Sequence, residues 1–256
     1  NIISKIKKLK YKTTIGVVGK YIDLKDAYKS LHEALYHASY EANTHLTIKY
    51  IDSEELEQSS AKKLLSGCDG ILVPGGFGDR GFEGKISAIQ YARENNVPFF
   101  GICLGLQMAI IEYARNVCRI KDANTRESNK KTKNYLIDIM KNQKNIKEKG
   151  GTMRLGKYPC NLKKSSKAYN AYKKIKISER HRHRYEVNPS FHLKLKQNGL
   201  ILSGLSPDGK LVEIIELKKH KWFLACQFHP EFKSKPFSSH PLFKGFIKAS
   251  TDSKND

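Results

Sequence analysis

The sequence predicts an α/β fold with a mostly parallel central sheet, flanking helices and an antiparallel C-terminal extension. Two observations lead to this class. In the first half of the chain, short β-branched or apolar runs alternate with helical patterns, as in parallel sheets. In the second half, strand candidates follow one another with few helices between them, which favours antiparallel pairing. The 256 residues suffice for one large domain with a substantial core.

The first half begins with TTIGVVG at 13–19, which has the composition of a buried parallel strand. Asp26 can cap the helix that follows. The apolar positions of this helix share one face, namely Ala27, Leu31, Ala34, Leu35 and Ala38. The later elements of this half are a strand at 46–52, a short helix near 60–66, a strand at 70–74, a helix over 83–94 and a strand at 97–102.

The second half contains strand candidates at 135–140, 174–188, 200–204, 211–217 and 222–228, and a terminal helix near 240–250. We predict that these strands form an antiparallel extension packed on the α/β core. Lysine-rich stretches such as 163–176 are predicted to be loops. The expected organisation is a linker from an upstream domain at 1–12, a catalytic domain at 13–250 and a tail at 251–256.

Composition excludes several classes of protein. The five cysteines are widely spaced and form no Cys-x-x-Cys pair, which argues for a reducing, cytoplasmic location and against a zinc ribbon. No signal pattern or long apolar run predicts membrane insertion. The formal charge of +22 suggests a nucleic-acid partner, but no recognised nucleic-acid module accompanies it. We therefore interpret the excess lysine as solvated surface and expect no functional nucleic-acid binding.

The stretch PFFGICLGLQMAI at 98–110 has the form of a nucleophile elbow. Gly101 and Gly105 flank Cys103, because a turn that projects one side chain from the end of a strand leaves little room for neighbouring Cβ atoms. The thiol would lie at a helix N-terminus, where unpaired N–H groups favour the thiolate. The alternative is that Cys103 is an ordinary buried core cysteine.

A base for such a nucleophile is offered by the segment FHPEF at 228–232. Pro230 favours an extended backbone at His229, so the side chains of His229 and Glu231 would project to the same side. A cysteine nucleophile needs a base, and the base needs a carboxylate to orient its ring. By itself this tripeptide is more often a surface turn, and the upstream cysteine is what favours a triad.

An acyl-transfer site also needs hydrogen-bond donors for the oxyanion. The N–H of Leu104 and that of Gly76, in the loop GGFGDRG at 75–81, are the natural candidates. The alternative interpretation of this loop is a phosphate cradle. It lacks the Lys-Ser/Thr of a P-loop, as does the segment GVVGKY at 16–21, so no ATP site is predicted in this chain.

Together, PGGFG, GICLGLQ and FHPEF resemble the class I glutamine amidotransferases that use a Cys-His-Glu triad. Within that class, the segments at 15–35, 73–81, 150–156, 179–189 and 225–232 are similar to the glutaminase domains of the CTP synthase family. The resemblance covers nearly the whole chain and departs from the family in the basic loops.

The resemblance implies roles for individual residues. Cys103 would be the nucleophile, which forms a thioester, His229 the base and Glu231 its orienting partner. Gly76 and Leu104 match the oxyanion positions. The other matching residues are Phe77 and Gln107 beside the substrate, Arg184 for its α-carboxylate, Glu127 for its α-ammonium and Arg80 in a lid involved in GTP activation. Ser128 follows Glu127 where the family usually has Phe, so Glu127 is the weakest match.

The resemblance also implies partners. L-glutamine would be hydrolysed here, and ammonia would pass to an N-terminal synthetase domain that these residues do not include. That domain would use ATP, Mg²⁺ and UTP, with GTP as an allosteric activator, and the full-length protein would be a homo-oligomer. No cofactor is expected in this chain itself. The pair His181 and His183 suggests a metal ligand, but no third ligand is evident.

Two alternatives remain at this point. One is a γ-glutamyl hydrolase or cysteine peptidase of related fold, which would not be expected to carry GGTMRLG at 150–156. The other is an inactive regulatory module, which usually loses a member of the triad.

Overall fold

The computed structural model describes residues 8–20, 28–128, 131–139 and 153–252. The predicted cap Asp26 and helix residue Ala27 lie outside these ranges. The strands are β1 Tyr11–Gly19, β2 Thr44–Asp52, β3 Gly70–Val73, β4 Phe99–Ile102, β5 Asn124–Thr125, β6 Tyr135–Ile139, β7 Arg154–Leu162, β8 Lys176–His183, β9 Tyr185–Val187, β10 Ile201–Leu205, β11 Val212–Glu216 and β12 Phe223–Cys226. The helices are α1 Lys29–Glu41, α2 Glu55–Gln58, α3 Ala61–Leu65, α4 Phe82–Glu94, α5 Leu104–Asn116, α6 Lys167–Tyr172, α7 His192–Gln197 and α8 Pro241–Asp252.

The larger sheet of the described residues has the strand order β2-β1-β3-β4-β12-β11-β10-β7-β8. The first five strands of this order run parallel, and the last four continue the sheet by antiparallel pairing. The predicted α/β class is therefore confirmed. A smaller sheet with the order β5-β6-β9 lies beside it.

Helices cover both faces of the inner parallel strands, which accounts for β3 and β4 being apolar and buried along their whole length. On β3, Ile71 and Val73 pack in one core with α4 and α5, whereas Leu72 packs in the other core with α1 and α8. Phe99 and Phe100 divide in the same way on β4. The two cores thus hold β4 in place from both sides.

Two predictions about the second half were wrong in detail. The antiparallel strands do not form a separate layer on the α/β core, although their apolar side chains, such as Ile214 and Ile215, join its two clusters. They extend its sheet edge to edge through β12, which pairs parallel with β4 and antiparallel with β11. The basic stretch 163–176 is not all loop, because it contains α6, whose N-cap Ser166 accepts a hydrogen bond from the N–H of Tyr169. The sequence analysis also missed β7, which pairs with β8 along most of its length.

Across the described ranges, none of the helices has the length and apolar character that crossing a membrane requires.

Candidate active site

Cys103 stands at the turn between β4 and α5, with a positive φ of 52° that side-chain-bearing residues rarely adopt. The two glycines that flank Cys103 at a distance of two residues have no room for a side chain. A Cβ on Gly101 would lie 2.8 Å from the backbone carbon of Gly105, and one on Gly105 would lie 2.2 Å from the carbonyl oxygen of Val73. Close packing of backbone therefore explains both glycines of the Gly-x-Cys-x-Gly pattern.

The pairing of β4 with β12 brings the second half of the site to Cys103. The Cys103 N–H donates to the Cys226 carbonyl at 2.8 Å, and the chain leaving β12 reaches His229 three residues later. The His229 N–H donates to the carbonyl of Arg180 on β8 at 2.8 Å. The parallel strands thus set His229 against the elbow.

Nδ1 of His229 lies 2.7 Å from Oε1 of Glu231, a hydrogen-bond distance. The expectation that an extended backbone brings His229 and Glu231 together was wrong. Glu231 lies in a 3-10 helix, Pro230–Lys233, so a turn rather than strand alternation brings the two side chains together. Gly75 closes over them, since a Cβ there would lie 2.8 Å from Cε1 of His229 and 3.5 Å from Cβ of Cys103.

The charge around His229 favours its protonated form. Burial opposes the imidazolium, but the negative charge of a Cys103 thiolate and the Glu231 carboxylate outweigh it and raise the pKa of His229 to about 10. Nε2 of His229 makes no hydrogen bond to any of the described residues. The arrangement can therefore hold a proton between sulfur and imidazole and pass it onward.

A cavity of about 640 Å³ opens beside the thiol, with a wall that includes Gly76, Phe77, Cys103, Gln107, Glu127 and Arg184. The backbone N–H groups of Gly76 and Leu104 have no acceptor in the described part of the chain. Both are therefore available to a bound oxyanion. Phe77 is exposed, and the guanidinium of Arg182 lies 5.7 Å from its ring centre.

The predicted substrate contacts lie on this wall. Gln107 is buried, and its Nε2 donates to the carbonyl of Tyr185 at 3.3 Å. Glu127 accepts the N–H of Gly78 at 3.2 Å. Burial raises the pKa of Glu127 against the opposing effects of that N–H and of Lys20. The wall thus carries a guanidinium and a carboxyl that could bind the two ends of an amino acid.

Arg80, unlike the predicted substrate contacts, lies outside the cavity. Its Nε lies 3.0 Å from Oε1 of Glu54, and it is not part of the cavity wall. In this arrangement Arg80 contributes to the outer side of the loop at 75–81.

Sequence analysis missed two lysines that hold this loop. Nζ of Lys20 donates to the carbonyls of Phe77 and Gly78, each at 3.1 Å. Nζ of Lys85 donates to the carbonyls of Arg80 at 3.2 Å and Gly81 at 3.1 Å. Both lysines are buried, and burial lowers the pKa of each, that of Lys85 to about 8. The only sequence signal was a lysine directly after β1.

Gln227 was also missed. It is fully buried, and its Nε2 lies 3.8 Å from the Cys103 sulfur. Nδ1 of His181 and Nε2 of His183, the pair considered as metal ligands, lie 2.8 Å apart at hydrogen-bond distance. Within the described ranges, no group of three or more His, Cys, Asp or Glu side chains is arranged to hold a metal ion.

Comparison with known proteins gives a consistent result. A family model described as glutamine amidotransferase class-I matches residues 23–249. The chain is 57% identical over 255 residues to a CTP synthase of Maridesulfovibrio salexigens, with 95% of this chain covered. It is 53% identical over 254 residues to a CTP synthase of Bacillus subtilis, with 99% covered. The chain spans about half the length of these relatives, 47% and 48% respectively.

Among solved structures, the glutaminase domain of Trypanosoma brucei CTPS with bound acivicin is 41% identical, with a TM-score of 0.88 and 94% of both chains covered. A glutamine amidotransferase from Thermotoga maritima has a TM-score of 0.51, covering 93% of this chain and 96% of the other. At 12% identity, that second likeness concerns the fold alone.

Proposed function

The chain belongs to the class-I glutamine amidotransferase family, as a glutaminase domain of the CTP synthase type, and we propose that it hydrolyses L-glutamine through Cys103, His229 and Glu231. The observation that carries this proposal is the geometry around Cys103. The thiol lies between a histidine–carboxylate pair and a cavity, and the nearby backbone N–H groups of Gly76 and Leu104 have no acceptor among the described residues.

The reaction begins when the Cys103 thiolate attacks the side-chain amide carbon of glutamine. The N–H groups of Gly76 and Leu104 stabilise the oxyanion. The tetrahedral intermediate collapses, the C–N bond breaks, and imidazolium His229 donates its proton to the departing nitrogen, which leaves as ammonia. Neutral His229 then takes a proton from water as the hydroxide attacks the thioester. The C–S bond breaks, glutamate leaves, and the Cys103 thiolate and imidazolium His229 are restored.

Glu231 keeps the His229 ring in place through the bond to Nδ1, which directs Nε2 at the sulfur. Arg184 binds the α-carboxylate and Glu127 the α-ammonium, while Gln107 and Phe77 form the sides of the pocket. The cavity volume of about 640 Å³ leaves space for glutamine and water together.

The ammonia would be used by a synthetase domain N-terminal to this one. The expected bounds of 13–250 are slightly too narrow, because β1 begins at Tyr11 and α8 ends at Asp252. In the proposed full-length protein the synthetase domain aminates UTP with ATP and Mg²⁺, GTP activates through the loop that contains Arg80, and subunits form a homo-oligomer. Support comes from relatives named CTP synthase that are about twice as long. A cytoplasmic location fits five cysteines that form no disulfide.

A diazo-ketone analogue of glutamine tests the site. It should alkylate Cys103 alone among the five cysteines, in a reaction that glutamine slows, and mass-spectrometric mapping identifies the residue. Acivicin, which is bound in the T. brucei domain, serves as a second probe. Cys103→Ala should abolish both labelling and glutamate release. Cys118→Ala is the matched control, because that buried thiol lies away from the cavity wall. Labelling at Cys118 or Cys226 would contradict the assignment.

A further inference from the structure

Five ionisable side chains lie together behind the wall of the Cys103 cavity, each more than nine-tenths buried. They are Arg154 on β7, His181 and His183 on β8, Glu186 on β9 and Glu213 on β11. We call them the buried cluster. Only His183 reaches the cavity wall, and the triad chemistry above uses none of the five.

The buried cluster contains two carboxyl groups and one guanidinium. Arg154 approaches Oε1 of Glu213 at 2.8 Å and Oε1 of Glu186 at 3.2 Å. Burial raises the pKa of both carboxyls, and the charge of Glu213 adds to the effect on Glu186, against the attraction of Arg154. Two carboxylates facing one cation would leave a net negative charge in the interior, so the pair retains one proton near neutral pH.

Hydrogen-bond directions decide which carboxyl carries that proton. The carbonyl of Tyr185 can only accept, and Nδ1 of His183 lies 3.2 Å from it. Nδ1 of His183 must therefore carry hydrogen. Burial and the nearby Arg154 charge lower the pKa of His183 to about 3 and that of His181 to about 2, so both rings are neutral. Nε2 of His183 is then an acceptor.

The same reasoning extends to the next ring. Nδ1 of His181 lies 2.8 Å from Nε2 of His183, so this Nδ1 must be the donor. Nε2 of His181 is consequently a bare acceptor, and it faces Oε2 of Glu213 at 3.6 Å. Neither of these buried atoms has a hydrogen-bond partner among the described residues. A proton on Glu213 turns their repulsion into attraction. Oε1 of Glu186 also faces a ring nitrogen, Nδ1 of His183 at 3.6 Å, but that Nδ1 carries the hydrogen donated to Tyr185, so it suits an ionised Glu186.

The series of contacts from Glu213 through His181 and His183 ends beside Arg184. The bond from His183 to the Tyr185 carbonyl spans Arg184, which lies between the end of β8 and the start of β9. It closes the backbone around the residue assigned to the substrate α-carboxylate. The buried cluster is therefore suited to fix Arg184 from behind.

We propose that Glu213 is held as a neutral carboxylic acid and, through His181 and His183, is a positioning residue for Arg184. The kinetic part of this proposal rests on the proposed glutaminase function, and the protonation part does not. Other titratable groups that face the buried cluster are Tyr158 and Cys160 on β7 and His229 after β12.

The first test uses two charge-matched variants, each of which leaves Arg154 with a single carboxylate. In Glu213→Gln the amide oxygen can face Arg154 and the amide nitrogen can donate to His181, as the acid would. In Glu186→Gln the remaining Glu213 ionises, both histidine rings must reverse their tautomers, and the bond to Tyr185 is lost. Glu213→Leu removes the donor without supplying another.

We expect the KM for glutamine to rise about tenfold or more in Glu186→Gln and in Glu213→Leu, with kcat changed less. In the single variant Glu213→Gln, KM should stay near the wild-type value. Burial raises the pKa of Glu213, so in wild type KM should also rise as the pH is raised and Glu213 loses its proton, and Glu213→Gln should abolish that rise. A KM as high in Glu213→Gln as in Glu213→Leu would overturn the proposal.

The second test needs no substrate. Long-range ¹H–¹⁵N NMR of the histidine side chains in this 256-residue chain distinguishes the two neutral tautomers. Both His181 and His183 should carry hydrogen on Nδ1 in wild type and in Glu213→Gln, and on Nε2 in Glu186→Gln. Hydrogen on Nε2 of either ring in wild type would overturn the proposal even if glutamine is hydrolysed. The Nδ1 pattern without glutaminase activity would instead refute the proposed function alone.

Discussion

Replacement of Lys20 by Met should slow glutamine hydrolysis without unfolding the domain. Lys20 is buried, and its Nζ donates to the carbonyls of Phe77 and Gly78 on the loop that carries the Gly76 N–H. Hydrogen bonds from a charged group typically contribute about 1.5–3 kcal/mol each. The cost of burying the ammonium offsets part of the contribution of these two hydrogen bonds. We therefore expect the variant to lose about 2 kcal/mol of the free energy that stabilises the ordered loop. That corresponds to a roughly thirtyfold fall in kcat/KM.

The assay is glutamate release over a range of glutamine concentrations, with thermal unfolding measured in parallel. Lys49→Met is the matched control, because Nζ of this exposed lysine also donates to a backbone carbonyl, that of Leu64 at 2.7 Å, but far from the loop. It should leave kcat/KM unchanged. A Lys20→Met enzyme within about threefold of wild type would refute the idea that this lysine holds the oxyanion loop.

Three further predictions concern packing, protonation and binding. Gly105→Ala should destabilise the chain by about 1–3 kcal/mol in urea unfolding, since its Cβ would meet the Val73 carbonyl at 2.2 Å, whereas Gly209→Ala, with open space and a φ of +72°, should cost about 1 kcal/mol. The pKa of Lys85 is lowered from 10.5 to about 8, so the unfolded chain binds more protons between those values. Stability should therefore gain about 3 kcal/mol from this residue as pH rises through that window, a gain that should be missing from the pH-dependent unfolding of Lys85→Met. Arg184→Leu should raise the KM for glutamine at least tenfold, because one partner of a charge-assisted pair is lost; an unchanged KM with lower kcat would place Arg184 in the chemistry instead.

The parallel half of the fold could be predicted because the inner strands β3 and β4 are apolar on both faces and α1 has one apolar face. The strand β7 could not. Its sequence RLGKYPCNL contains Gly156 and Pro159, which weaken any strand pattern, and it is stabilised by pairing with β8 rather than by local preference. The helix α6 was missed for a related reason, since lysines and asparagine obscured the Ser166 cap.

The site residues likewise fall into local motifs, which the sequence predicts, and residues that only the fold brings together. The elbow and the His229 segment are local motifs, so spacing alone predicted them. The buried cluster draws Arg154 and Glu213 from two strands of the larger sheet and Glu186 from β9 of the smaller sheet, and only the tertiary fold brings them together. Its one visible trace was His181 and His183 at alternate positions of a strand, between arginines that face outward.

The pairing of β4 with β12 has a consequence for how the chain is made. Ile102 lies beside Cys226, so the middle of the sheet stays open until roughly 120 further residues have been synthesised, which takes on the order of ten seconds at about 5–20 residues per second. All four residues of β4 are buried in the finished fold, so during this interval the nascent chain presents a fully apolar strand edge. We expect this stage of translation to be the point at which the polypeptide depends most on chaperones and is most prone to aggregate.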